Sequence, residues 1–284
     1  MALETEPAGF RVSRGEWCLR GEALGAGPPV VLLHGVTATR RYVVHGSRAL
    51  ARAGHRQVTY DARGHGRSDP APPTEGYSYP ELVADLETVV ESELSEEPFV
   101  LGGHSMGAHV AVAYALDHGA RLAGLVVIGP VYVGTIDDQA IAAWDRLADG
   151  LESGGVEGFV AAYDRDLSPE WRETVLGITR RRMAEHRCPR AVARAIREVA
   201  RSRPFEAMSE LELVDVPALV VASHDDADPG HPYSVAAAYA ESLPRARLIS
   251  EDAGASPLAW QGGRLAREIA AFCAEPEVVA RARG

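Results

Sequence analysis

Phe99-Val100-Leu101-Gly102-Gly103-His104-Ser105-Met106-Gly107-Ala108-His109-Val110-Ala111-Val112-Ala113-Tyr114-Ala115-Leu116 joins a short apolar run to a longer alanine-rich one through a serine framed by glycines. The first run suits a buried strand and the second a helix. Between them, Gly103-His104-Ser105-Met106-Gly107 fits G-x-S-x-G, a strained strand-to-helix turn that holds a serine hydroxyl out as a nucleophile. A side chain two residues to either side of that serine would collide with neighbouring elements. The helix start also aims N–H groups and a positive dipole end at the reacting centre. Glycine and serine are common, so the pattern alone is weak, and its flanks give it weight. The competing account is a glycine-rich turn that only packs a helix on a sheet.

The surroundings repeat the strand-to-helix rhythm. Val30 to Leu33, Gln57 to Tyr60, Leu125 to Ile128, Ala218 to Ala222 and a weaker Ala246 to Ile249 are further short apolar runs. Leu82, Leu86, Val89, Val90 and Leu94 recur at helical spacing, as do Leu265, Ile269 and Phe272. Alternation of this kind predicts an α/β fold with a mainly parallel sheet and helices on both faces. The rhythm breaks after Val131. Helices are expected over 136–150, 156–165, 169–186 and 190–201, with turns at Gly154-Gly155, Ser168-Pro169 and Cys188-Pro189. The expected layout is a core of residues 1–130 and 206–284 with an inserted helical cap, 131–205.

With 284 residues the chain is long enough for one large domain with a sizeable core. A net charge of −11 argues against nucleic acid or an anionic membrane as partner, since both demand a basic face. Every basic residue other than histidine is arginine, which reads as base composition of the gene. Cys18, Cys188 and Cys273 are odd in number and lack metal-ligand spacing, so a reducing compartment is expected. The N-terminal residues lack a signal-peptide pattern, and no run approaches the roughly 20 apolar residues of a membrane span. The expectation is a cytoplasmic protein acting on a small molecule, with no cofactor and no metal.

Two further motifs join the serine turn. Leu33-His34-Gly35 follows one strand, and Asp61-Ala62-Arg63-Gly64-His65-Gly66-Arg67-Ser68-Asp69 follows the next. Together the three resemble the α/β-hydrolase superfamily, particularly its esterase, haloperoxidase-like and lactonase-like members with helical caps. The resemblance implies Ser105 as nucleophile and the N–H groups of Val36 and Met106 as the oxyanion hole. It makes His34, His65 and His104 structural supports. Epoxide hydrolase and dehalogenase relatives carry aspartate where this chain has Ser105, which disfavours their chemistry here.

The resemblance places the acid after the Ala218 to Ala222 strand, within Ser223-His224-Asp225-Asp226-Ala227-Asp228. A three-residue offset from Ser223 selects Asp226, with Asp228 as the alternative. The usual base is a histidine after the last strand, yet Glu251-Asp252-Ala253-Gly254-Ala255-Ser256 puts Ala255 there. Three accounts stay open. His231, the histidine that follows Asp226, serves as base and preserves the serine–acid–histidine order. Alternatively the pocket has left hydrolysis for lyase-like or isomerase-like chemistry or for binding. Or Ala255 is an introduced replacement. The leading expectation is a serine hydrolase of a small carboxylic ester, thioester or lactone, with Ser105, Asp226 and His231 as its catalytic residues.

Overall fold

A computed structural model of the chain describes residues 6–165, 167–224, 228, 230–251, 260 and 263–283. Its centre is an eight-stranded sheet in the order β1-β2-β4-β3-β5-β6-β7-β8. The strands are β1 Ala8–Arg14, β2 Trp17–Leu24, β3 Pro29–Leu33, β4 Arg56–Asp61, β5 Phe99–His104, β6 Leu122–Ile128, β7 Ala218–Val221 and β8 Ala246–Ile249. From β4 across to β8 every pairing is parallel, and β1 and β2 add on antiparallel.

All six expected strands are present, and their lack of polar alternation has a direct cause. Val31, Leu101, Val127 and Val220 bury into a core on one face, and Val30, Val100, Val126 and Leu219 into a core on the other. A strand covered on both sides has no solvent face to mark with polar residues. The β1–β2 hairpin escaped the sequence reading for the opposite reason. Along β1, Val12 alone is buried while Phe10 and Arg14 are partly covered and the rest exposed, so its apolar signal is thin. Gly15, at φ 60°, makes the turn between the two strands.

The helices are α1 Ala49–Arg52, α2 Tyr79–Leu94, α3 Met106–His118, α4 Asp138–Tyr163, α5 Arg172–Met183, α6 Pro189–Arg201, α7 Tyr233–Ser242, α8 Arg264–Cys273 and α9 Pro276–Ala282. Helix α2 starts at a capping box in which the Ser78 N–H donates to Glu81 at 2.9 Å, and its Leu82, Leu86, Val89 and Val90 stripe is buried. It packs with α3 on one face of the sheet, while α1, α8 and α9 contribute to the core on the other.

Helices α4, α5 and α6 lie between β6 and β7, the span in which helices alone were expected. The two expected helices, 136–150 and 156–165, are both present as the two halves of α4, separated by a kink at Gly155 where φ reaches 58°. Helix α5 is shorter at both ends than the expected 169–186. The α5–α6 turn is tied to the core by its own side chains. Glu185 accepts from Thr39 Oγ1 at 2.9 Å and Tyr42 Oη at 3.1 Å, and the Gly66 N–H donates to His186 Nδ1 at 3.0 Å.

Beneath that turn, the Asp61–Asp69 loop is built on buried charge. Arg63, fully buried, donates to both Asp85 oxygens at 2.7 Å and to the Gly76 carbonyl at 2.8 Å, and lies 4.8 Å over the Trp17 ring. Asp61 accepts from the backbone N–H groups of Arg40 and Arg67 at 2.9 and 3.0 Å. Such satisfied buried charges fix the path of the loop.

Candidate active site

Ser105 stands between β5 and α3 with φ 54° and ψ −116°, backbone angles that a side chain normally avoids. The flanking glycines are required by space. A Cβ on Gly103 would sit 2.1 Å from the Gly107 carbonyl oxygen, and one on Gly107 would sit 2.4 Å from that of Leu33. Strand and helix therefore approach too closely for any other residue at either position. The turn is held by Ser105 N–H donating to the Ile128 carbonyl at 3.0 Å, and Ser105 itself is 8% exposed.

The Leu33-His34-Gly35 segment lies directly against this turn, since a Cβ on Gly35 would be 3.3 Å from Ser105 Cβ. Two histidines fix it there. Ala62 N–H donates to His34 Nε2 at 2.9 Å, so the His34 proton sits on Nδ1, which faces the Gly35 carbonyl at 2.8 Å. Burial, helped by the neighbouring His65, pushes His34 down to about 3, so the ring is neutral. The His65 ring bridges the Arg63 and Val36 carbonyls at 2.8 and 2.7 Å. Val36, Ser105 and Met106 all line one cavity of about 320 Å³. Among the described residues, neither the Val36 nor the Met106 N–H has a protein acceptor, which leaves both able to donate to a ligand.

A second group meets on the β7 side. His231 Nδ1 and Asp228 Oδ2 are 2.7 Å apart, and the His231 N–H donates to the Asp228 carbonyl at 3.1 Å. The His231 ring lies 4.8 Å from that of His104, and Asp228 and His231 share a cavity of about 200 Å³ with Ser105. Desolvation opposes charge on Asp228, yet His231, then His104 and Arg182, outweigh it and hold the carboxyl down to about 2. Burial first, and the His231 charge second, push His104 down to about 3, so His104 is neutral and not a cation. His104, Asp228 and His231 offer one donor atom each within 4.8 Å of one another, a spacing that could hold a divalent cation. The Asp228–His231 bond already engages two of the three. Asp226 and Ala255, the expected acid and the residue in the usual base position, lie outside the described residues.

The walls come mainly from the helices between β6 and β7. Trp144 and Tyr163 of α4, and Thr174, Ile178 and Arg182 of α5, face the cavity that holds Ser105, Asp228 and His231. The larger cavity runs from Ser105 toward Tyr79, Tyr132, Ile196 and Val199. There the N–H groups of Val131 and Tyr132 donate to His109 Nε2 at 3.0 and 3.2 Å, so the His109 proton is on Nδ1, 2.8 Å from Tyr79 Oη. Tyr79 thus accepts from His109, and both residues line this cavity. The sequence reading did not single out Tyr79, His109 or Arg182. The position of His109 one helical turn after Ser105 was an available signal, whereas nothing local marks Tyr79 or Arg182.

A sequence model of the family described as the alpha/beta hydrolase fold matches residues 28–166. Epoxide hydrolase B of Mycobacterium tuberculosis is 43% identical over 108 residues, which cover 38% of this chain and 30% of that protein. RutD of Agrobacterium fabrum, a candidate carbamate hydrolase, is 29% identical over 242 residues, covering 84% and 89%. The matched region thus spans about a third of the length of the first relatives, 30–39%, and most of RutD. Among solved structures, a thermophilic esterase from Thermogutta terrifontis superposes with a TM-score of 0.74 at 22% identity, covering 99% of this chain and 100% of that one. At that identity the likeness is one of fold. With the family match, the sheet order and the strained serine turn in agreement, this chain belongs to the α/β-hydrolase superfamily.

Proposed function

We propose that the protein is a serine hydrolase of small-molecule acyl compounds, an ester, thioester or lactone, and that Ser105 is its nucleophile. The observation that carries this reading is the hydroxyl-bearing residue at φ 54°, beside two N–H groups without acceptors among the described residues and in one cavity with an Asp228–His231 pair. Ser105 would attack the acyl carbonyl while His231 takes its proton, and Val36 and Met106 N–H would hold the oxyanion. Asp228 fits the part of the acid that orients His231 and stabilises its charged form. The carbamate in the name of RutD is also an acyl carbonyl and is consistent with this chemistry.

Residues 131–205 would act as a cap, since their helices line the cavities over Ser105 and shield an acyl-enzyme from bulk water. Residues 1–130 and 206–284 would form the core. No described helix is long and apolar enough to cross a membrane. A second reading, non-hydrolytic chemistry or binding, draws on Ala255 in the usual base position.

A fluorophosphonate probe separates the two. Labelling that disappears in Ser105→Ala supports an activated nucleophile. An unlabelled, folded wild-type protein refutes the serine-hydrolase reading and favours the second.

A further inference from the structure

Helix α5 lays one face over the serine. Thr174, Val175, Ile178, Thr179 and Arg182 recur at helical spacing and all line the cavity of about 200 Å³ that contains Ser105. Arg182 also lines the adjoining cavity of about 190 Å³, together with His104, Asp228 and His231.

Four other arginines of α5 and α6 form ion pairs: Arg172 with Asp164, Arg180 with Glu157, Arg197 with Asp149 and Glu152, and Arg201 with Asp145. Arg182 has no carboxylate among the described residues within ion-pair distance, and its Nε is buried without a hydrogen-bond partner. The Tyr163 hydroxyl contacts it, and its positive charge helps depress His45, His104 and Asp228. A guanidinium with five donors and an unmatched buried nitrogen is costly unless an acceptor arrives. Asp228 cannot be that acceptor in full, because it is bonded to His231.

We propose that Arg182 is a specificity-determining residue that binds a carboxylate, and that the acyl compounds taken by this site carry a free carboxylate beyond the reacting carbonyl. The inference rests on the acyl-hydrolase reading for the reaction but not for the binding. A carboxylate matches the single guanidinium in charge and in two-pronged geometry. A phosphate dianion would bring two charges toward Asp228 with one cation to offset them. The paired cavities of about 190 and 200 Å³ suit a short-chain acid.

The test compares mono-4-nitrophenyl glutarate with the ester whose distal carboxylate is replaced by a carboxamide. Wild type is expected to prefer the acid by about 10- to 100-fold in kcat/KM, the range of a charge-assisted pair. Arg182→Gln should bring that ratio close to one, mainly through KM, and Arg182→Lys should keep part of it. The ratio within each variant cancels general damage to folding or turnover. A wild-type ratio near one, or a ratio that Arg182→Gln leaves in place, overturns the proposal.

Calorimetric titration of glutarate into Ser105→Ala separates this from the hydrolase reading. Binding there that is lost in Ser105→Ala/Arg182→Gln supports the carboxylate site even if no ester is turned over. Absence of glutarate binding beside rapid cleavage of the carboxamide ester refutes the site and leaves the hydrolase. Inorganic phosphate binding more tightly than glutarate also refutes it.

Discussion

His231 Nδ1 lies 2.7 Å from Asp228 Oδ2 on a single turn of chain, and both residues border the cavity that holds Ser105. An acid and its imidazole so close in sequence pair through a local contact. The Nδ1 atom of His231 is engaged by Asp228, which leaves Nε2 as the atom available to a nucleophile.

That pairing makes the mutational order specific. Asp228→Asn and His231→Ala should each lower kcat on an acyl substrate by about three to four powers of ten. Asp225→Asn should change it little, and Asp226→Asn decides between the two candidate acids. Steady-state kinetics on the four variants reads this directly. If His231→Ala is silent and Ala255→His raises activity, the base belongs to the position after the last strand and the pair is only structural.

The elbow glycines should tolerate nothing larger. Gly107→Ala would drive a methyl group to 2.4 Å from the Leu33 carbonyl oxygen, where backbone and not a flexible side chain must give way. A loss of about 4 kcal/mol or more is expected, beyond the usual range of single substitutions. Urea unfolding midpoints check it. A Gly107→Ala protein within about 1 kcal/mol of wild type would contradict the close strand–helix approach.

The Arg63–Asp85 pair predicts a double-mutant cycle. Both are buried; burial raises Asp85 and Arg63 opposes that rise. Arg63→Leu should cost about 3–5 kcal/mol because it leaves the buried Asp85 carboxylate with the more distant Arg14, at 3.3 Å, as its ion-pair partner, while the added change Asp85→Leu should restore a large part. Equal destabilisation in the single and double variants would show that the loop is held by something else.

Stability should fall with acid well before the carboxylates titrate. Burial holds His34, His109 and His186 at about 3, well below the ordinary imidazole value of about 6.5. Below pH about 6.5 the unfolded chain binds protons that the folded rings refuse, so stability present above that pH is lost as pH falls toward about 3. Each ring contributes a slope of up to about 1.4 kcal/mol per pH unit. Urea midpoints at pH 7, 6 and 5 should decline steadily, and a flat profile would mean that these rings take up protons without unfolding.

Much of the fold was legible because its strongest determinants are local. A buried parallel strand writes itself as Val30 to Leu33 or Leu125 to Ile128 without help from elsewhere, and a serine at φ 54° is announced by Gly103 and Gly107. The edge strand β1 was not legible, because Val12 is its one fully buried side chain and it has few apolar residues to show. Histidines set another limit. His34, His65, His109 and His231 are the same residue in sequence, and only their partners separate ring-locking supports from a carboxylate-bound ring beside a nucleophile.

The sequence by itself determined the strained serine turn and the nucleophile candidate, encoded within a few residues by Gly103 and Gly107, and the resemblance of its three motifs implied the superfamily and the two candidate oxyanion donors. Tertiary structure decided what surrounds them. Asp228 meets His231, α5 brings Arg182 into the cavity that holds Ser105, and His109 bonds the hydroxyl of Tyr79 in the wall of the larger cavity. The last two relationships join residues far apart in the chain, and the short Asp228–His231 step gains its place beside Ser105 only when β7 lies next to β6. Such convergence depends on packing of distant elements, for which no local pattern of residues is required.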